Sequence, residues 1–390
     1  MPIERRSCPI RRVTEGPFHH FFGYYDKTPW DATGRYILAM RVAFMHRPPT
    51  RWDIAIIGMI DLEDGGRWRP LAETTAWNWQ QGTHLQWLGS APDRLIIFNT
   101  RTREGYGAVI LDVHSGESRL LPRPIYAVAP NGRDAVTLNF SRVHRTRPGY
   151  GYAGFPDPWE HEKAPAEDGI YYLNLNTGES RLIISLAQIV EIEHEASMDE
   201  AVHWFNHLQF NPLGTRFIFL HRWRPPDQPR WFTRLYTANP DGTEITLLAR
   251  ERLVSHFDWL DDTHILAWAR HRGEDHYHLY TDRSGEVQVI GAHVLDRDGH
   301  CSYSPDRRWI LTDAYPTPER RERVLILYNP RTNTRIDIGR FYSPPELTGE
   351  IRCDLHPRWS RDGRQVCIDS THEGERQMYV IDVSSIVGGG

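Results

Sequence analysis

The chain has 390 residues, 39% hydrophobic and 25% charged, which excludes a disordered or fibrous protein and leaves room for a large core. The 46 basic and 51 acidic side chains give a net charge of −5 with no basic stripe, which argues against nucleic acid as a partner. No apolar run of about 18 residues occurs, so no membrane span is expected. Met1 to Cys8 carries positive charge with no apolar stretch behind it, as in a cytoplasmic protein or a secreted one already lacking its signal peptide. Cys8, Cys301, Cys353 and Cys367 are too scattered for a disulfide framework and read as thiols.

A short pattern recurs along the chain: an aromatic or apolar residue, a polar Pro/Asp/Gly turn, then a β-rich run. It begins in turn at Trp30, Trp87, Val128, Phe210, Trp259, Tyr303 and Trp359. A second hairpin follows each copy, as in Val109-Ile-Leu-Asp-Val-His-Ser-Gly-Glu and Leu279-Tyr-Thr-Asp-Arg-Ser-Gly-Glu. Two hairpins per copy make four antiparallel strands, and seven copies predict an all-β, seven-bladed β-propeller occupying residues 1–390 as one domain. The last hairpin runs out at Met378 to Val383 before its outgoing strand. The segment Pro9 to Val13 is therefore expected to supply that strand and close the ring.

The longest spacing lies between Val128 and Phe210 and marks an insertion at about 141–206. Ser141 to Asp168 is rich in Arg, Gly, Tyr and Pro and reads as a loop, whereas Ser185 to Trp204 has a helix-favouring composition. Long insertions between regular elements commonly carry binding or lid functions, so substrate contacts are expected here.

Three residues before each repeat residue, the chain carries Lys27, His84, Ile125, His207, His256, His300 and His356. With 20 histidines in 390 residues, five in seven such positions is not compositional chance. The column is expected on the innermost strand of each blade, where side chains from neighbouring blades converge on the channel mouth. A ring of imidazoles there can bind metal or an anion, or move protons. The alternative is that each histidine caps a turn or bonds to the next blade.

His256, His300 and His356 from consecutive blades, with Asp354, form the best subset for a divalent metal such as zinc, manganese or calcium. Cys353 is an adjacent candidate that would favour zinc. A second constellation joins His84, Arg101 and Arg103 to His144, Arg147, Tyr150 and Tyr152 of the insertion. Imidazole, guanidinium and phenol are what β-elimination from a uronic acid requires: a cation pairs with the carboxylate, a base takes the C5 proton, and a phenol protonates the leaving oxygen. The alternative is a set of surface loop residues stacked on one another. The repeat tryptophans are expected to pack blades, and Trp159, Trp204, Trp223 and Trp231 are candidates for stacking on sugar rings.

With seven repeats and the histidine column, the chain resembles the seven-bladed propeller polysaccharide lyases: the oligogalacturonate lyases and the ulvan and rhamnose-glucuronate lyases. Asp298-Gly-His-Cys-Ser-Tyr-Ser-Pro-Asp and Leu355-His-Pro-Arg-Trp-Ser-Arg-Asp-Gly look like the oligogalacturonate lyase stretches that carry manganese-binding histidines. The resemblance implies His300 and His356 as ligands, with Asp354 and Ile351 standing near the places of a further His and a Gln. His84 and Tyr150 fit spacings of the ulvan lyase branch, whereas Arg103 and Glu104 stand near the place of its second histidine.

These features together lead to the expectation of a lyase that cleaves a uronate-containing oligosaccharide or polysaccharide by β-elimination. His84 or His207 would be the base, Tyr150 the acid, and Arg101 or Arg103 the carboxylate holder, with Arg147 and Tyr152 as further substrate contacts. A glycoside hydrolase on the same scaffold and a non-catalytic propeller that binds a glycan or protein are the rival readings. Oligomeric state is not readable from the sequence.

Overall fold

The computed structural model describes residues 3–388. Seven sheets form the seven blades of a propeller, each with four antiparallel strands; six blades take them consecutively along the chain, and the last takes its outer strand from the N-terminal segment. The first strands of the blades, near the axis, are His19–Phe21, Gln86–Trp87, Ala127–Val128, Val202–Phe210, Val254–Trp259, Ser302–Tyr303 and Arg358–Trp359. Their partners carry continuous apolar, β-branched-rich runs, as in Leu95–Arg101 and Glu322–Asn329, so each sheet buries both faces against its neighbours.

The repeat tryptophans pack blades, as expected. Trp87, Trp259 and Trp359 are buried, and each indole N–H donates to a carbonyl near the first strand of the preceding blade: Pro29 at 2.9 Å, Gln209 at 3.3 Å and Ser302 at 3.4 Å. One residue type thus fills the space between blades and fixes their spacing with a hydrogen bond.

Ile10–Arg12 pairs antiparallel with Gln377–Asp382 as the outer strand of the last blade, with Ile10 opposite Ile381. The sequence does not announce a further strand, Glu4–Arg5, which adds in parallel to the edge of blade six beside Ile336 and Asp337.

The interval 141–206 differs from its expected form. It is not one insertion but two excursions flanking the outer hairpin of blade three, Gly169–Asn174 and Ser180–Ser185. The first excursion opens with an unexpected helix, Phe140–Thr146, whose N-terminus is capped by Asn139 accepting from the Arg142 N–H at 3.0 Å. The second holds the short helix Leu186–Glu191 and a helical turn at Ala196–Met198, but the expected helix stops there. Trp204 already belongs to the first strand of blade four. Among the described residues, no helix is long and apolar enough to cross a membrane.

Candidate active site at the channel mouth

The histidine column lies at the axis, but not within regular strand pairing. His84, His300 and His356 stand two residues ahead of their strands. His207 and His256 sit in bulges where the register skips, between Asn206 and Gln209 and between Val254 and Phe257. Freed from the ladder, the rings turn inward. His84, His207 and His356 do so with φ of 54°, 51° and 41°, a left-handed backbone that costs a non-glycine residue on the order of 1 kcal/mol. Strain repeated at three equivalent positions marks a place where side-chain direction matters more than backbone comfort.

His300, Asp354 and His356 form a group whose ligand atoms all lie within 4.8 Å of one another, all three buried. The His300 ring donates from Nδ1 to Asp313, 2.9 Å from Oδ1, and the same carboxylate accepts the His300 backbone N–H at 2.8 Å. This leaves the His300 Nε2 lone pair bare, and both His300 Nε2 and His356 Nε2 are buried with no hydrogen-bond partner. They lie 3.9 and 3.8 Å from Asp354 Oδ2. Two bare imidazole nitrogens and a carboxylate, one imidazole oriented by a second carboxylate, fit a borderline divalent metal.

Burial opposes the charge on Asp354, but Arg352 and Arg323 outweigh it and hold its carboxyl well below the usual range. Arg352 Nε donates to Oδ2 at 2.7 Å, and Arg323 Nη2 lies 2.8 Å from Oδ1. A carboxylate offers about four lone-pair sites, so these contacts leave room for a cation. His356 is pushed well below the ordinary imidazole range by burial and by His300, so it is neutral and able to ligate.

His256, expected as a fourth ligand, stands beside this group rather than in it. Its ring centroid is 4.1 Å from that of His300, and its Nδ1 lies 2.9 Å from Asp298 Oδ1. A neutral ring donating from Nδ1 leaves its Nε2 lone pair free, which is the form of a general base held by an orienting carboxylate. Burial lowers its proton affinity, against the pull of Asp298. Cys353 is buried, its thiol pushed up to about 11 mainly by burial, and it is outside the ligand group.

His207 carries the opposite tautomer. Tyr126 Oη donates to Gln81 Oε1 at 2.9 Å, and the Gln81 amide nitrogen lies 3.2 Å from His207 Nδ1, which accepts. The proton then sits on Nε2, making His207 a donor rather than a base. It stacks on Tyr24 with centroids 5.2 Å apart and planes 8° from parallel. His84, the other expected base, is sealed in: both ring nitrogens are buried without partners, and Tyr126 packs at 4.3 Å and Phe140 at 5.3 Å.

Tyr150 does reach the mouth. Its ring meets His207 edge-on at 5.4 Å, and its hydroxyl accepts from Arg352 Nη2 at 2.7 Å. Arg147 spans the rim, its guanidinium 4.6 Å from the rings of both Tyr150 and Trp231. The remaining candidates lie elsewhere. Tyr152 is fully buried, stacked on Phe140 at 4.4 Å, with its hydroxyl accepting from Asn99 at 2.9 Å, so it supports the wall and does not face the mouth. Arg101 lies 5.6 Å over the ring of Trp52, and Arg103 lines a separate cavity away from the histidines. His144 is half-buried in the helix Phe140–Thr146, its proton affinity lowered by burial. Trp204 and Trp223 are buried core residues.

Two mouth residues escape the sequence reading. Tyr24 lies at the axis, its ring 5.0 Å from His356 and 6.0 Å from His300. Arg222 is buried, with Nε and Nη1 lacking any hydrogen-bond partner, and burial together with Arg147 lowers its proton affinity to about 10. Among the described residues no carboxylate pairs with it, so its charge is left free for an anionic partner. The available clue was an arginine inside Phe217-Ile-Phe-Leu-His-Arg-Trp-Arg, a strand otherwise suited to the core.

No family model matches the sequence, and no curated protein matches it. Among solved structures, the chain is similar to an oligogalacturonate lyase from Vibrio parahaemolyticus, with 13% identity, a TM-score of 0.69, and 96% of this chain and 94% of that chain covered. An oligogalacturonate lyase in complex with manganese is similar at 15% identity and a TM-score of 0.67, covering 96% and 93%. The β-propeller domain of the Trilobed protease from Pyrococcus furiosus follows at 12% identity and a TM-score of 0.54, covering 95% of each chain. At these identities the likeness establishes the propeller fold, which is shared by a lyase and a protease domain.

Proposed function

We propose that this protein is a lyase that cleaves a uronate-containing oligosaccharide or polysaccharide by β-elimination. The observation that carries the reading is the channel mouth itself. There, a buried arginine with no counter-ion, a carboxylate-oriented histidine, a tyrosine hydroxyl and a metal-competent group occupy one site. The likeness in fold to two oligogalacturonate lyases, one of them in complex with manganese, supports the same reading.

In this reading Arg222, with Arg147 at the rim, pairs with the sugar carboxylate and stabilises the charge that develops as C5 is deprotonated. This role passes from Arg101 and Arg103, which lie away from the mouth. His256 Nε2 accepts the C5 proton while Asp298 steadies the imidazolium. The C5–H electrons become the C4=C5 double bond, the C4–O bond breaks, and Tyr150 hands its hydroxyl proton to the departing oxygen. Arg352 steadies the phenolate that remains. His207 donates from Nε2 to the bound sugar. His300, Asp354 and His356 would hold a divalent metal, which when bound supplies a second positive centre for the carboxylate.

The test is incubation of the purified protein with pectic, ulvan, gum and glucuronan oligosaccharides, with and without chelator, following the ultraviolet absorbance of unsaturated uronate. A rise with at least one substrate is expected. Reducing sugar without that absorbance would instead establish a hydrolase, and neither signal across the panel would overturn the lyase reading in favour of a binding propeller.

A further inference from the structure

A cavity of about 880 Å³ opens between blades two and three, away from the histidines. Tyr106 of blade two, Phe155 and Trp159 of the first excursion and Tyr171 of blade three line it, together with Arg103 and Arg123. Phe155 and Trp159 are only half-buried, which leaves apolar ring surface open to solvent at the cavity wall.

The charges in this groove are unevenly matched. Arg103 is exposed and makes no hydrogen bond or ion pair among the described residues. Arg123 lies 3.9 Å over the Tyr171 ring and donates from Nε to Ser180 Oγ at 2.9 Å, with no carboxylate partner among the described residues. Of the two carboxylates in the lining, Asp168 is already engaged, accepting from Asn139 at 2.9 Å, from the Gly169 N–H at 2.9 Å and from Tyr171 Oη at 3.2 Å. Only Glu104, on the rim, opposes the two guanidinium groups.

The groove and the mouth share one segment of chain. The first excursion sends Tyr150 to the histidines and, a few residues later, Phe155 and Trp159 to the groove. Between them lies the stacked pair of Phe140 and Tyr152, and Phe140 faces His84 as well as the groove. A glycan too long for the mouth has a second surface of matching chemistry beside it: aromatic faces for sugar rings and guanidinium groups for carboxylates.

We infer that this groove is a second subsite that binds the distal part of a uronate oligosaccharide, using Trp159 and Phe155 as stacking surfaces and Arg103 and Arg123 as carboxylate partners. The choice of ligand rests on the uronate-lyase reading. The occupancy of the groove does not require the elimination chemistry.

The test is calorimetric titration of Tyr150→Phe protein with a galacturonate dimer, a long oligogalacturonate and a neutral cello-oligosaccharide, alone and with Trp159→Ala or Arg103→Ser added. Arg103 is exposed, so its replacement leaves the fold intact and keeps the test valid even if the Trp159 variant is destabilised. Either change is expected to weaken the long uronate chain about tenfold, leave the dimer unchanged, and give no binding of the neutral chain. Unchanged affinity for the long uronate in the Arg103 variant would overturn the subsite. So would equal binding of the neutral chain, or no uronate binding at all. If the long uronate binds with this sensitivity while wild-type protein yields no unsaturated product, the subsite stands and the lyase reading alone falls.

Discussion

Arg222 and Tyr150 are where single substitutions separate chemistry from folding. Arg222 is buried with Nε and Nη1 unpaired, so the fold bears a desolvation cost that no carboxylate among the described residues offsets. Arg222→Met is therefore expected to raise the melting temperature while lowering kcat/KM by about 100-fold or more, roughly 3 kcal/mol of lost charge stabilisation. A variant that melts higher and keeps full turnover would remove Arg222 from the reaction. Tyr150→Phe keeps the ring packed on His207 and Arg147 and loses only the hydroxyl, so turnover should vanish while calorimetry shows substrate affinity largely retained. The Nδ1–H of His300 is held by Asp313, and Asp313→Asn should weaken metal retention about 10–100-fold, read by elemental analysis of the dialysed protein. The histidine column was legible in the sequence because the repeat fixed its positions. The role of each histidine was not, because tautomer and solvent access depend on partners far away in sequence: Gln81 and Tyr126 for His207, Asp298 for His256, Phe140 for His84.

The elements most easily read were those with a repeated hairpin, and the least legible was the region without one. Phe140–Thr146 follows no apolar periodicity that announces a helix. It is held by its Asn139 cap and by Arg142, which donates to the carbonyls of His203, Trp159, Glu162 and Lys163 and to Asp157. The second excursion is tied to blade four through a buried imidazole pair: His203 Nδ1 lies 2.9 Å from His221 Nε2, and His203 Nε2 donates to the Met198 carbonyl at 3.0 Å. Burial depresses His203 from 6.5 to about 4, and His221 is likewise well below its ordinary value. Between these values the unfolded chain binds more protons than the native one at His203, so the stability this ring contributes is lost as pH drops through 6.5 and is gone below about 4. The loss at His203 is on the order of 3 kcal/mol. Thermal melts across this range should show the decline, and His203→Gln should make it shallower, since other buried histidines such as His20 are depressed over the same range. An identical slope in that variant would assign the acid sensitivity elsewhere. The outer strand Ile10–Arg12 is pinned further by Thr14, whose hydroxyl donates to Gln377 Oε1 at 2.6 Å and accepts the Met378 N–H at 2.9 Å. Deleting residues 1–13 should lower the melting temperature and, by baring Gln377–Asp382, cause self-association visible by light scattering.

For the whole molecule, seven blades place seven equivalent positions around one axis, so side chains far apart in sequence become neighbours without any local motif. Tyr24 from blade one, His207 from blade four, His300 from blade six and His356 from blade seven meet within a few ångströms through this arrangement. Counting repeats therefore indicated where a site forms. It did not reveal Arg222, which comes from the second strand of its blade, outside the column. The same geometry keeps the mouth and the groove between blades two and three on separate walls linked by one excursion. Whether the bond breaks by elimination is tested most directly by the mass of the products formed from a uronate oligosaccharide in water enriched in heavy oxygen. Elimination predicts an unsaturated non-reducing end, product masses that sum to that of the substrate, and no heavy oxygen incorporated by cleavage. Saturated products carrying one heavy oxygen per bond cleaved would contradict it and identify a hydrolase on the same propeller.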